Sequence, residues 1–194
     1  MAHASPPTGM EKALCKMLDL IDKRLCGNRQ EPVRMFLAGG MAVNYYCDTR
    51  FTEDVDASFS KRVILPHAED LVVPYKRETG EDSYLYFDAQ YNPSFGLMHD
   101  DFQKDAQEWI GIGNEKRCIH LYVLAPVDLA VSKIVRYSED DHKDIMALAN
   151  AGLITPESVR CRAEEALKLY AGNTDHIKQV IRGVAREIEL AQGE

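Results

Sequence analysis

FLAGGMAVNYYCDTRFTEDVDA, residues 36–57, decides the fold. An apolar run from Val33 to Leu37 breaks at Gly39-Gly40, resumes through Met41-Ala42-Val43, and re-emerges as an alternating segment carrying Asp54 and Asp56. That order predicts strand, glycine turn, short helix, strand. On a strand, residues at i and i+2 share a face, so Asp54 and Asp56 are expected to point together while Val55 turns into the core. Two carboxylates side by side repel, and they persist on one face most comfortably with a cation between them. Gly39 and Gly40 leave room for a phosphate to approach the backbone, and the N–H groups opening the next helix present the positive end of its dipole. A magnesium-bound nucleoside triphosphate is the ligand these features imply.

Working outward, Glu11 to Leu25 places Leu14, Met17, Leu18, Ile21 and Leu25 on one helical stripe. Cys26-Gly27-Asn28 is expected to end that helix, and residues up to Gly9 read as a flexible lead. Beyond the aspartates, a short helix is predicted from Pro66 to Val73, a loop from Lys76 to Ser83, and a strand from Tyr84 to Phe87 that ends at Asp88. The turn-rich AQYNPSFGLMH, residues 89–99, reads as a lid or a substrate-facing loop. A short helix is predicted from Asp100 to Trp109, and a strand from Cys118 to Val123. After Pro126 the pattern is helical throughout. Val127, Ala130, Val131 and Ile134 form one stripe, Ser138 caps a helix ending near Gly152, and Thr155-Pro156 opens another that Gly172 closes. Asn173 or Thr174 caps a last helix through Leu190. Strands first and helices last give an α+β class: a mixed sheet flanked by helices over residues 10–125, with a helical C-terminal part, 126–194, completing the cleft.

With 194 residues, 45% hydrophobic and 28% charged, the chain has enough apolar material for a proper core. Its five cysteines are odd in number, widely spaced and without a C-x-x-C pair, which suits a reduced cytoplasmic protein. No apolar run approaches the ~20 residues of a membrane span, so no membrane partner is expected. A net charge of −8 does not resemble the long-range field of a nucleic-acid binder, although it leaves local contacts with one open. The histidines show no ligand spacing with cysteine or with one another, which argues against zinc.

Two further residues join the aspartates. Lys133, on the helix that carries Asp128, is placed to reach a cleft while its stem packs on the core edge. Asp141 and Asp144 lie one turn apart and share a face that can hold Lys133 or an acceptor hydroxyl. Phosphoryl and nucleotidyl transfer need this inventory: carboxylates for a metal, a cation for departing pyrophosphate, and an acid to orient the acceptor. Arg50 and Thr52 join the nucleotide-binding set, although Arg50 is equally placed to pair with Glu53 or Asp48.

Gly39 to Val43 (GGMAV), Arg50 to Ala57 (RFTEDVDA), Pro126 to Lys133 (PVDLAVSK) and Asp141 to Ile145 (DHKDI) together resemble the nucleotidyltransferase superfamily, which has a DNA polymerase β-like fold. More narrowly, they resemble AbiEii-type toxins and related nucleotidyltransferase-like proteins. The resemblance runs from about Leu37 to Gly172. It implies Mg²⁺-dependent transfer of a nucleoside monophosphate from an NTP to an acceptor. Asp54 and Asp56 match the metal-binding pair, Gly39 and Gly40 the phosphate turn, Lys133 the triphosphate lysine, and Asp144 the late catalytic acid. The superfamily's third metal carboxylate falls by position on Asp88, with Asp101 second. Gly-Gly stands where Gly-Ser is common.

The function implied is nucleotidylation of a macromolecule, tRNA or protein, in a bacterial toxin–antitoxin or defence setting with a possible cognate antitoxin. The alternatives are a catalytically degraded nucleotide-binding or partner-neutralising module, and a small-molecule adenylyltransferase of the antibiotic-modifying type.

Overall fold

The computed structural model describes residues 8–25, 32–48 and 52–193. Helix α1, Gly9–Leu25, buries Leu14, Met17, Leu18, Ile21 and Leu25 as the stripe requires. It begins at Gly9, earlier than expected, because Thr8 and Glu11 cap each other: the Glu11 N–H donates to Thr8 Oγ1 at 3.1 Å and the Thr8 N–H to Glu11 Oε2 at 2.8 Å. Cys26, Gly27 and Asn28, the expected stop, lie outside the described residues.

Strand β1, Val33–Leu37, lies inside a four-stranded sheet, and Val33, Met35, Phe36 and Leu37 are buried while Arg34 is exposed. It pairs antiparallel with β3, Ala57–Phe59, and parallel with β7, Ile119–Val123, to which β6, Gln107–Glu108, adds antiparallel at the edge. A second sheet of three strands has the order β2, Asp54–Val55; β5, Asp82–Phe87; β4, Val72–Lys76, with β2 parallel to β5 and β4 antiparallel to it. The chain passes from the second sheet to the first at Asp56. Helix α2, Gly39–Cys47, follows β1 with only Ala38 between them, so the two glycines are its first residues, with no separate turn before it.

The class is α+β, a mixed-sheet core flanked by helices and followed by a helical C-terminal part. That part comprises α4, Pro126–Ser132; α5, Glu139–Asn150; α6, Pro156–Leu167; and α7, Asp175–Gln192. Ser138 with Asp141, and Thr155 with Ser158, form reciprocal caps at the starts of α5 and α6. One hydrophobic cluster extends from Ala13 on α1 to Ile188 on α7.

Four local expectations change. The helix from Pro66 to Val73 shrinks to a 3-10 turn at Ala68–Asp70, because Val72 and Val73 are taken into β4, where Val73 is buried opposite Leu85. The loop from Lys76 to Ser83 tightens to a hairpin turn closed by Arg77 and Glu81. The helix from Asp100 to Trp109 is confined to α3, Phe102–Asp105, since pairing of Gln107 and Glu108 with β7 takes the backbone beyond it. α6 ends at Leu167, well before Gly172. Among the described residues no helix is long and apolar enough to cross a membrane.

Candidate active site

Asp54 and Asp56 do not share one strand. β2 ends at Val55, and Asp56 forms the junction between the sheets, its carbonyl accepting the Ala38 N–H at 2.8 Å. The side-chain alternation nevertheless continues through the junction: Val55 and Ala57 are buried, Asp54 is exposed and Asp56 is half-buried. The parallel register of β2 and β5 then supplies a third acid. Asp54 pairs with Tyr86 and Val55 with Phe87, and the Asp88 N–H donates to the Val55 carbonyl at 3.1 Å, so Asp88 stands alongside Asp56.

These carboxylates share a field. Burial pushes the Asp56 carboxyl up to about 6, helped by Asp88 and then Asp54, while Lys133 and Arg136 pull in the opposite direction. The Gln90 N–H donates to Asp88 Oδ1 at 2.8 Å, and the next residue, Tyr91, belongs to the same surroundings. Its phenol is pushed up by burial and by the charges of Asp56 and Asp88. An all-oxygen donor set is the kind that suits a hard divalent cation. Among the described residues no three His, Cys, Asp or Glu side chains stand gathered as a ready ligand cluster. The acids act on one another through their charges without converging on a single point.

Gly39 explains how Asp56 reaches this place. Its φ is +61°, and a Cβ there would fall 1.8 Å from Asp56 Oδ2. The space expected for a phosphate at this glycine is therefore occupied by the Asp56 carboxylate. Ala38, the residue that begins the helix, has no side-chain acceptor for the first N–H groups of α2. The expected role of those groups toward a phosphate therefore rests on the uncapped start of α2.

The cationic side is built where α4 passes into α5. Lys133 Nζ lies 2.8 Å from Asp144 Oδ2 and 3.5 Å from Asp141 Oδ1, and all three side chains are buried. Asp141 also accepts from the Ser138 N–H at 3.0 Å and Oγ–H at 2.8 Å, and from Arg136 through Nε at 2.7 Å and Nη2 at 2.6 Å. Burial alone raises the Asp141 carboxyl, but the bonds from Arg136 and Ser138 and the charge of Lys133 hold it well below the usual carboxylate range. On the neighbouring α2, burial and then the charge of Asp144 push the Cys47 thiol up.

The structure thus brings Asp54, Asp56, Asp88, Lys133 and, through Lys133, Asp144 into one region beside Gly39 and Gly40. Thr52 is buried ahead of β2. Arg50 lies outside the described residues. Asp101 begins α3 and is absent from the charges acting on Asp56. The predicted lid is pinned: Leu97 is buried, and a Cβ at Gly96 would lie 2.7 Å from the Ser132 carbonyl oxygen at the end of α4. His142 turns away to Glu187 on α7, at 2.6 Å.

Sequence reasoning missed Arg136, Tyr91 and an ion pair that joins α4 to α6. Asp128, fully buried, accepts from Arg162 Nε and Nη2 at 2.8 Å each, and Arg162 Nη2 reaches Asp105 at 2.7 Å. The signal available for Arg136 was its spacing, one turn after Lys133 and five residues before Asp141. Asp128 and Arg162 are too far apart in the chain for any spacing rule to join them.

Among families of known proteins, the model described as "Nucleotidyltransferase of unknown function (DUF6036)" matches residues 12–184. No match is found among curated protein sequences.

Proposed function

Since the chain belongs to this nucleotidyltransferase family, we propose that it moves a nucleoside monophosphate from an NTP to a macromolecular acceptor, RNA or protein, with Mg²⁺. The observation that carries this reading is the set of coupled acids, Asp54, Asp56 and Asp88, beside the first turn of a helix that lacks a side-chain cap. Bound Mg²⁺ supplies positive charge that polarises the α-phosphate and offsets charge on the departing oxygen. Asp54 and Asp56 would hold it, with Asp88 as the third acid. Burial, and then the charges of Asp88 and Asp54, raise the Asp56 carboxyl to about 6, and a cation held beside it would favour its ionised form.

The opening N–H groups of α2 face the polyphosphate and receive its negative charge. Lys133 adds a positive charge opposite the acids. Asp144, buried and bonded to Lys133, acts by holding that ammonium in place. A tRNA acceptor and a toxin–antitoxin or defence setting, with a cognate antitoxin as partner, follow from the AbiEii-like motifs and form the narrower part of the proposal.

The test is incubation with each labelled NTP, Mg²⁺ and total RNA or lysate, followed by a gel. Transfer of label by the wild type, lost in Asp54→Asn and Asp56→Ala, is the expected result. Undiminished transfer by either variant ends the mechanism. Calorimetric NTP binding with no labelled acceptor points to a binding module without turnover, and label on a small cationic antibiotic added to a parallel incubation points to the antibiotic-modifying alternative.

A further inference from the structure

The two cations at the α4–α5 turn are presented differently. Lys133 has 6% of its side chain exposed and is enclosed by Asp141 and Asp144. Arg136 has 74% exposed, although it is bonded to the fully buried Asp141. The guanidinium uses Nε and Nη2 for that carboxylate. This leaves both Nη1 hydrogens without a carboxylate partner among the described residues. A two-point fork fixes the plane of the group as well as its position.

Its anchor is itself held rigidly. Asp141 is the third residue of α5, locked by Ser138 through backbone and hydroxyl. The turn that carries Arg136 is also constrained. Tyr137 takes a left-handed φ of +42°, and its N–H donates to the Lys133 carbonyl at 2.9 Å. Arg136 therefore extends from a fixed base into solvent with donors to spare. The contacts Arg136–Asp141, Asp141–Lys133 and Lys133–Asp144 tie it to the cationic side of the site, and it is close enough for its positive charge to act on both Asp56 and Asp144.

We propose that Arg136 is the group that grips the β- and γ-phosphates of the nucleotide, and that Lys133 is a positioning residue behind it. This rests on the nucleotidyl-transfer reading given above. An exposed planar guanidinium with free N–H donors matches phosphate oxygens, whereas the Lys133 ammonium is enclosed and spends two of its three donors on carboxylates, at 2.8 and 3.5 Å. Lys133 joins Asp141 and Asp144 and so ties α5 to the end of α4. Asp141 orients the fork. Removing Arg136 leaves Asp141 still bonded to Ser138 and Lys133, so the turn keeps its other supports.

The experiment is isothermal titration calorimetry in Mg²⁺ with ATP, GTP, CTP and UTP and with the four matching monophosphates. The variants are Arg136→Gln and Arg136→Lys, and melting temperatures are recorded for each. Wild type is expected to bind its preferred triphosphate more tightly than the monophosphate. Arg136→Gln should weaken the triphosphate by roughly 10- to 100-fold, the scale of a charge-assisted bond, and leave the monophosphate unchanged. Arg136→Lys should fall between, since it keeps the charge and loses the fork. If Arg136→Gln fails to fold, Arg136→Lys carries the test alone by the same ratio.

Equal loss for triphosphate and monophosphate, as from a general structural defect, overturns the assignment, and so does no loss for either. In both cases the nucleotidyl-transfer reading stands. A wild type that binds none of the four triphosphates overturns that reading and the assignment with it.

Discussion

Gly39→Ala is the most severe single test of how the candidate site is built. The new Cβ would lie 1.8 Å from Asp56 Oδ2, 2.8 Å from Cγ and 3.0 Å from Cβ. Rotation about the side chain can move Oδ2 and Cγ, but Cβ is fixed by the junction backbone, whose Asp56 carbonyl accepts the Ala38 N–H, so turning the carboxylate alone does not relieve the 3.0 Å contact. The backbone adds its own cost: at φ +61° a non-glycine residue is strained by about 1–2 kcal/mol. Moving the junction or the first turn of α2 adds an overpacking cost of about 1–3 kcal/mol. The sum is of order 2–5 kcal/mol, which in a chain of this size lowers the melting temperature by roughly 5–15 °C. Transfer should fall further than stability, since the displaced group is the carboxylate with the most acid neighbours. Gly183→Ala is the control. It sits mid-helix in α7 with open space at its Cβ, and should gain up to about 1 kcal/mol with transfer unchanged. The assay pairs thermal unfolding with gel-based label transfer. A Gly39→Ala protein with wild-type melting and wild-type transfer would falsify the placement of Asp56 against α2.

Asp56→Asn should stabilise the metal-free protein while abolishing transfer. The folded chain holds this carboxyl at about 6 against an ordinary 3.8, so ionising it opposes folding. That penalty is absent below the ordinary value, grows as pH rises between the two, and is constant above; it is at most about 3 kcal/mol and is reduced by solvent screening. The variant's melting-temperature advantage should therefore be largest above pH 7 and vanish towards pH 4, and an advantage that instead grows in acid contradicts the assignment. Wild type should gain melting temperature on adding Mg²⁺ at pH 8, and the gain should shrink below pH 6 and be lost in an Asp54→Asn/Asp56→Asn double variant. An equal gain in both proteins would place the ion elsewhere. Arg162→Ala strands the buried Asp128 and should cost about 3–5 kcal/mol in urea unfolding, while Arg162→Lys recovers part of it. A loss under 1 kcal/mol on this scale for Arg162→Ala would mean the pair is solvated.

The elements legible in the sequence are those where local preference and final packing agree. The α1 stripe, the Ser138 and Thr155 caps and the apolar β1 run each encode their own partner set within a few residues, and each forms. What the chain conceals are outcomes of competition at long range. Val72 and Val73 follow a helix-opening Pro66, yet pairing with β5 recruits them into a strand. The glycine pair was readable as room beside the backbone, but what fills that room at Gly39 is a carboxylate from seventeen residues on, which no spacing rule announces. Asp88 was legible by position alone; its place beside Asp56 follows from a parallel register that exists only once β2 and β5 have met.

The departures from local rules gather at the candidate site, and each is held by something outside it. Gly39 takes a left-handed conformation and α2 starts without a side-chain cap, but β1 before it is fixed on two sides by β3 and β7. Asp56 is kept partly buried among like charges, which disfavours its ionised form, because its backbone is bonded to Ala38 and both of its neighbours, Val55 and Ala57, are buried in strands. Tyr137 adopts a positive φ between Arg136 and the cap of α5, and the Lys133 carbonyl and the Ser138–Asp141 box determine that turn from either side. Strain of this kind persists only where the surrounding structure over-determines it. It follows that substitutions in the supporting layer, such as those breaking the Asp128–Arg162 pair between α4 and α6, should act first on stability, whereas changes at Asp54, Asp56 or Arg136 should act on the ligand with the fold retained. A pattern in which both sets lose stability and activity together would mean that the acids and the α4–α5 turn are part of the scaffold itself.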